Sequence, residues 1–171
     1  MPKIVYESIE FDSQEEVEFY QWVLEAMRVG LVTECYYHEE TLPLFEKTLY
    51  NGKSFLQQHV YTYDFKLKVQ PEFVDWFEKK WCDNNGYVYI DVKGTWNRHG
   101  GDREFSINRK WVWEKHGIFI AKIVPEKWFM KTWCPKECRL SPKQNKVREK
   151  YQNCKSVNSF IEKYFIQGEI W

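Results

Sequence analysis

Polar and apolar positions alternate from Tyr61 to Val69. Tyr61, Tyr63, Phe65, Leu67 and Val69 share one side of an extended chain, and Thr62, Asp64, Lys66 and Lys68 share the other. That period predicts a strand with one buried face. A helical period links Glu16 to Phe19, Tyr20, Val23 and Met27, at offsets of three, four, seven and eleven. It predicts a helix over residues 13–29, capped by Asp12 or Ser13 and closed by Gly30. Extended segments are expected around 32–38 and 41–47, with Asn51-Gly52 as a turn. Residues 71–81 read as a helical excursion, and Asp83-Asn84-Asn85-Gly86 as the turn before a strand over 87–93. That strand is apolar or aromatic on both faces, as a central strand is.

A polar loop at 94–102 follows, then a second helix from about 103 to 116 that stops at Gly117. A short apolar strand is expected at 118–124, ended by Pro125, with another at 128–133. The tail from Pro142 reads as one or two basic helices. Helix, strands, helix, strand, helix is the order of an α/β protein: a central mixed β-sheet flanked by α-helices, with a basic helical C-terminal tail. A chain of 171 residues is long enough for one such domain and short for two, so residues 1–171 are expected to form a single domain.

Composition adds little until it is read along the chain. Twenty-five basic residues balance 25 acidic ones. The distribution is uneven: residues 1–46 carry eleven acids against Lys3 and Arg28, whereas residues 131–155 carry eight bases against Glu137 and Glu149. The basic stretch suits a phosphate backbone or a solvated helix face equally well. Nine Trp and eleven Tyr serve first as core filler, with base stacking as the second use. No apolar run approaches the ~20 residues of a membrane span, so no membrane partner is expected. The N-terminus lacks a signal-peptide layout, and five scattered cysteines read as free thiols in a reducing compartment, so a cytoplasmic location is expected.

The chemistry begins with Asp91-Val92-Lys93. Residues two apart on a strand project side by side, and an acid and a Lys on a buried strand are costly unless they pair or bind something. Asp64, on the polar side of its own strand, would share a cation with Asp91 if the strands are neighbours. Its alternative is a solvent-facing Asp. Glu16 stands at the end of the helix's inward stripe, yet Ser13-Gln14-Glu15-Glu16 also fits a capping box, and local sequence leaves both readings open. Cys134 and Cys138, with Cys154 beyond, offer only one short ligand pair, too little for a structural zinc site to be expected. Arg98 and His99 lie in a Gly-containing loop where Arg98 could meet a phosphate.

Four segments together resemble a known family: residues 11–20 (FDSQEEVEFY), 61–65 (YTYDF), 90–94 (IDVKG) and 105–110 (FSINRK). In this order they are similar to the PD-(D/E)XK nuclease superfamily, and within it to small phage-encoded nucleases related to Holliday-junction resolvases. The resemblance covers about residues 9–124 and leaves 125–171 as an extension. Tyr63 stands where the name-giving Pro would be, and residues 71–86 form a larger insertion than usual.

The resemblance implies a restriction-endonuclease-like core and Mg²⁺-dependent, or Mn²⁺-dependent, hydrolysis of DNA phosphodiester bonds. Glu16, Asp64, Asp91 and Lys93 would be its catalytic set. Asp64, Asp91, the Val92 backbone carbonyl and Glu16 would hold the metal, Lys93 would align or deprotonate a water, and Arg98, Arg109 and Lys110 would contact DNA. The substrate would be phage or mobile-element DNA, with branched structures a candidate, and the setting host cytoplasm. Junction cutting favours a homodimer, since two strands must be cut. The competing reading is a non-catalytic DNA-binding or assembly protein that keeps the fold.

Overall fold

The computed structural model describes residues 3–94, 101–141 and 146–166. In chain order its elements are β1 (Ile4–Tyr6), β2 (Ile9–Phe11), α1 (Gln14–Arg28), β3 (Val32–Tyr37), β4 (Thr41–Phe45), β5 (Thr48–Tyr50), β6 (Lys53–Leu56), β7 (His59–Thr62) and β8 (Phe65–Val69). They continue with α2 (Pro71–Val74), β9 (Tyr87–Val92), α3 (Gly101–His116), β10 (Ile120–Ile123), α4 (Pro125–Lys131), α5 (Lys136–Arg139) and α6 (Val157–Ile161). The architecture is mixed α/β with a central mixed sheet, as the order of sequence periods implies. The chain divides into two compact units: Met1–Val32 with Val92–Thr95 and Ile123–Trp171, and Thr33–Asp91 with Trp96–Lys122.

The first unit is organised by α1. Ser13 caps it, accepting the Glu16 N–H on its side-chain oxygen at 3.2 Å. At the other end the Gly30 N–H reaches Met27 O and the Leu31 N–H reaches Ala26 O, both at 3.0 Å. That double closure needs a left-handed residue after the cap, and Gly30, at φ 77°, supplies it without a Cβ clash. The buried stripe of α1 carries Phe19, Trp22 and Val23. Trp22 stacks on Trp133 at 4.7 Å and meets Trp128 edge-on at 5.2 Å, while its indole N–H donates to Thr132 Oγ1 at 3.1 Å. Residues 128–133, expected to be a strand, are mostly helix α4. Pro125 ends one strand and starts this helix, because its fixed φ and missing N–H suit a first helical position.

In the tail, expected to hold one or two basic helices, a short 3-10 turn spans Glu149–Tyr151, α6 runs on as a π-helix over Glu162–Ile166, and Leu140 and Val147 form an isolated antiparallel bridge. Arg148 pairs with Glu18 of α1 at 3.5 Å. Cys134, Cys138 and Cys154 are buried free thiols, and burial pushes all three above the ordinary thiol range, Cys134 to about 12.

The second unit carries the four-stranded sheet, in the order β10-β9-β8-β3. β8 and β9 are antiparallel, with Phe65 opposite Ile90 and Leu67 opposite Val88. β9 reaches β10 through α3, the kind of crossover a parallel neighbour requires. β9 is interior, and every residue from Val88 to Val92 is buried. Beside the sheet, β4 pairs with β7 and β5 with β6, making a ribbon in two parts. The β5–β6 turn is Asn51-Gly52, both at positive φ, as the dipeptide predicts. Leu42, Leu44, Tyr61, Tyr63, Tyr89, Phe105, Val112 and Ile120 form one core cluster.

The single strand expected over 61–69 is two strands. β7 ends at Thr62 and pairs with β4, whereas β8 begins at Phe65 and pairs with β9. The break falls on Tyr63 and Asp64. Burial of alternate residues continues straight through it, so the period conceals the change of partner.

Candidate functional site

The break in the 61–69 segment places Asp64. It is not mid-strand but in the link entering β8, where its N–H donates to Ile90 O at 3.0 Å, beside Asp91 in the chain. Asp91 lies near the end of β9 and is 3% exposed. The Tyr61 hydroxyl, on β7, donates to Asp91 Oδ2 at 2.7 Å. Burial raises the Tyr61 pKa far above its ordinary value. The negative charge of Asp91, the bond to it and the charge of Asp64 add to that rise, and Arg109 opposes it. Tyr61 is therefore a fixed neutral donor to Asp91.

His38 follows β3 with left-handed backbone, φ 48°. Its N–H donates to Asp64 O at 3.0 Å, and its Nε2 lies 3.4 Å from Asp64 Oδ1. The imidazole stacks on Tyr37 at 4.1 Å. Asp64 is thus gripped through both its backbone and its side chain. Hard carboxylate oxygens of this kind suit Mg²⁺ or Mn²⁺.

Glu16, Val92 and Lys93 belong to the first unit. Glu16 is buried, and its carboxylate turns back onto the start of the helix. Its Oε1 accepts from Ser13 Oγ at 2.8 Å and its Oε2 from the Asp12 N–H at 3.0 Å. Val92 ends β9. Lys93 follows, half-buried, and its N–H donates to Ile123 O at 2.8 Å. The Glu15 carboxylate lies over Gly94, where a Cβ would come within 2.9 Å of its Oε1.

Arg109 is already engaged: its guanidinium donates to Glu78 Oε1 at 2.9 Å and lies over the rings of Phe105 and Phe119. Lys110 is exposed on α3, and Arg98 lies outside the described residues. A cavity of about 340 Å³ opens on α3, lined by His59, Arg103, Glu104, Ile107, Asn108 and Trp111. There His59 Nε2 lies 2.9 Å from Asn108 Oδ1.

Sequence reading passed over Tyr61 and His38. Tyr61 was available as a signal, since a buried Tyr needs a partner for its hydroxyl. His38 was not, because nothing local ties it to a residue 26 positions away. No protein-family model matches the chain, and no curated protein or solved structure is significantly similar to it. No described helix is long and apolar enough to cross a membrane.

Proposed function

We propose that the chain is a metal-dependent nuclease that hydrolyses DNA phosphodiester bonds, with Asp64 and Asp91 as the carboxylates that hold Mg²⁺ or Mn²⁺. The observation that supports this reading is that the Asp64 backbone is hydrogen-bonded to Ile90, next to Asp91 in the chain, and that the Asp91 carboxylate is fixed by the buried Tyr61 hydroxyl. Two carboxylates near each other repel, and a divalent cation turns that repulsion into attraction. When bound, the ion lowers the pKa of a coordinated water and offsets charge on the phosphate.

The chain's own residues supply orientation. Tyr61 orients Asp91 through one of its carboxylate oxygens, and His38 fixes Asp64. The Lys93 ammonium, two residues beyond Asp91, is the proposed stabiliser of charge on the phosphate. Glu16 and the Val92 carbonyl stay in the proposed set on the family resemblance, as does DNA as the substrate.

The test is digestion of linear, nicked and four-way-junction DNA in Mg²⁺ and in Mn²⁺, by wild type and Asp91→Asn. Wild type is expected to cut at least one of the three, and the variant to lose roughly two orders of magnitude in rate. If wild type cuts none of them, the nuclease reading fails. Binding without cutting would favour the non-catalytic DNA-binding alternative.

A further inference from the structure

We infer that the β5–β6 hairpin is a nucleic-acid contact, taking unpaired bases on the rings of Tyr50 and Phe55 and neighbouring phosphates on Lys53 and Lys47. The inference deepens the nuclease reading and rests on it for the choice of nucleic acid. Every residue of both strands is exposed, with Tyr50 and Phe55 each 68% accessible. Leu49 and Leu56 add to the apolar surface. A hairpin with so many exposed large side chains contributes little to a core, and clustered apolar exposure marks a contact surface.

The kind of partner follows from what accompanies the rings. Tyr50 and Phe55 have centroids 6.3 Å apart, and Lys53 is the cross-strand partner of Tyr50. The chain as a whole balances 25 acids with 25 bases, yet no acid occurs between Lys47 and Tyr63. A lysine set beside exposed rings, in an acid-free segment, is complementary to a polyanion that also offers flat apolar faces. Single-stranded nucleic acid has both, a charged backbone and stackable bases. A purely apolar protein partner would gain nothing from the lysines.

The hairpin is also continuous with the candidate site. β6 leads into β7, which carries Tyr61, the donor to Asp91. Five residues lie between Phe55 and Tyr61, so the chain spans no more than about 20 Å at ~3.3 Å per residue step. That is about six base-pair steps at ~3.4 Å each. A strand held at Asp91 would therefore have the rings within a few nucleotides of it.

The experiment uses the full chain in EDTA, so that binding is read without cleavage. Fluorescence anisotropy follows a labelled single-stranded oligonucleotide and the matching duplex, and 2-aminopurine in the single strand reports stacking. For Tyr50→Ala/Phe55→Ala, single-strand affinity is expected to fall tenfold or more and the 2-aminopurine quench to disappear, with a smaller effect on duplex. Lys47→Gln/Lys53→Gln is expected to flatten the salt dependence, by about one unit of log–log slope or more. Both pairs are surface substitutions, and circular dichroism confirms that each variant is folded.

Unchanged affinity and quench in the ring variant would overturn the proposal, as would a wild type that binds no single strand. So would a dimer that the ring variant alone dissolves, which would make the hairpin an interface between copies. Loss of binding to anionic phospholipid vesicles, with DNA binding intact, would point to a membrane surface instead. The two readings fail separately. DNA cleavage with an inert hairpin removes this inference alone, and stacking on the hairpin without cleavage removes the nuclease reading alone.

Discussion

Tyr61 and Asp91 meet across 2.7 Å inside the second unit, hydroxyl to carboxylate, at the point where the ribbon of β4 and β7 meets the central sheet. Deleting that hydroxyl leaves a carboxylate oxygen, in a residue 3% exposed, without this donor. Tyr61→Phe is expected to cost about 1–3 kcal/mol of stability, measured by urea unfolding. Because Tyr61 orients a proposed metal ligand, the same variant should lose about 10–100-fold in metal affinity or cleavage. Unchanged metal affinity would show the bond to be structural only.

A second prediction concerns acid. Hydrogen bonds from Tyr87, Lys68 and Tyr36 hold the Glu34 carboxyl at about 2, below its ordinary 4.5. A carboxylate whose pKa is depressed in the folded state stabilises the fold fully above its unfolded value. It loses that contribution as pH falls through the folded one. Wild type should therefore lose this contribution between pH 4.5 and about 2. In Glu34→Gln, unfolding monitored across that window should show a shallower decline than in wild type. Identical slopes would mean that the network does not discriminate between charged and neutral Glu34.

The helix cap offers a third test, one that separates fold from function. Ser13→Ala removes the acceptor of the Glu16 N–H together with a donor to the Glu16 carboxylate, and should cost about 1 kcal/mol of stability. Glu16→Gln turns one of the two accepting oxygens into a donor amide, so the bonds from Ser13 Oγ and the Asp12 N–H cannot both persist, and stability should fall by about 1 kcal/mol. If Glu16 belongs to the proposed metal set, the same variant loses cleavage. Full activity in a folded Glu16→Gln protein would leave the residue as a cap alone.

The parts of the fold that were legible in sequence are those where local chemistry and tertiary role coincide. Helix α1 is marked by Ser13, Glu16 and Gly30, and each sits where its chemistry places it. Strand β9 is recognisable because its apolar residues occupy both faces, as an interior strand requires. The β1–β2 hairpin gave no such signal. Its two-residue turn is Glu7-Ser8, both at positive φ and without the Asn or Gly that marks such turns. The β7–β8 break is hidden for another reason: a change of pairing partner leaves the alternation of buried residues intact.

The same logic divides the candidate site. Asp91 stood out because an acid interrupts a strand apolar on both faces, and Asp64 because its strand was expected beside that one, whereas Tyr61 was submerged in the apolar row and His38 had no local context. Glu16 remains doubly explained. In the cap that the sequence offered as its alternative, Ser13 accepts the Glu16 N–H and the Glu16 carboxylate accepts from Ser13 Oγ and the Asp12 N–H.

The most direct measurement of the central claim is Mn²⁺ binding, followed by the electron paramagnetic resonance signal of the free ion. The proteins compared are wild type, Asp64→Asn, Asp91→Asn and, as a control outside the proposed metal set, Ser156→Ala at the cap of α6. If Asp64 and Asp91 share a divalent cation, wild type and Ser156→Ala bind it alike, and each Asn variant loses tenfold or more in affinity. A folded Asp91→Asn protein that takes up Mn²⁺ with wild-type affinity would contradict the account.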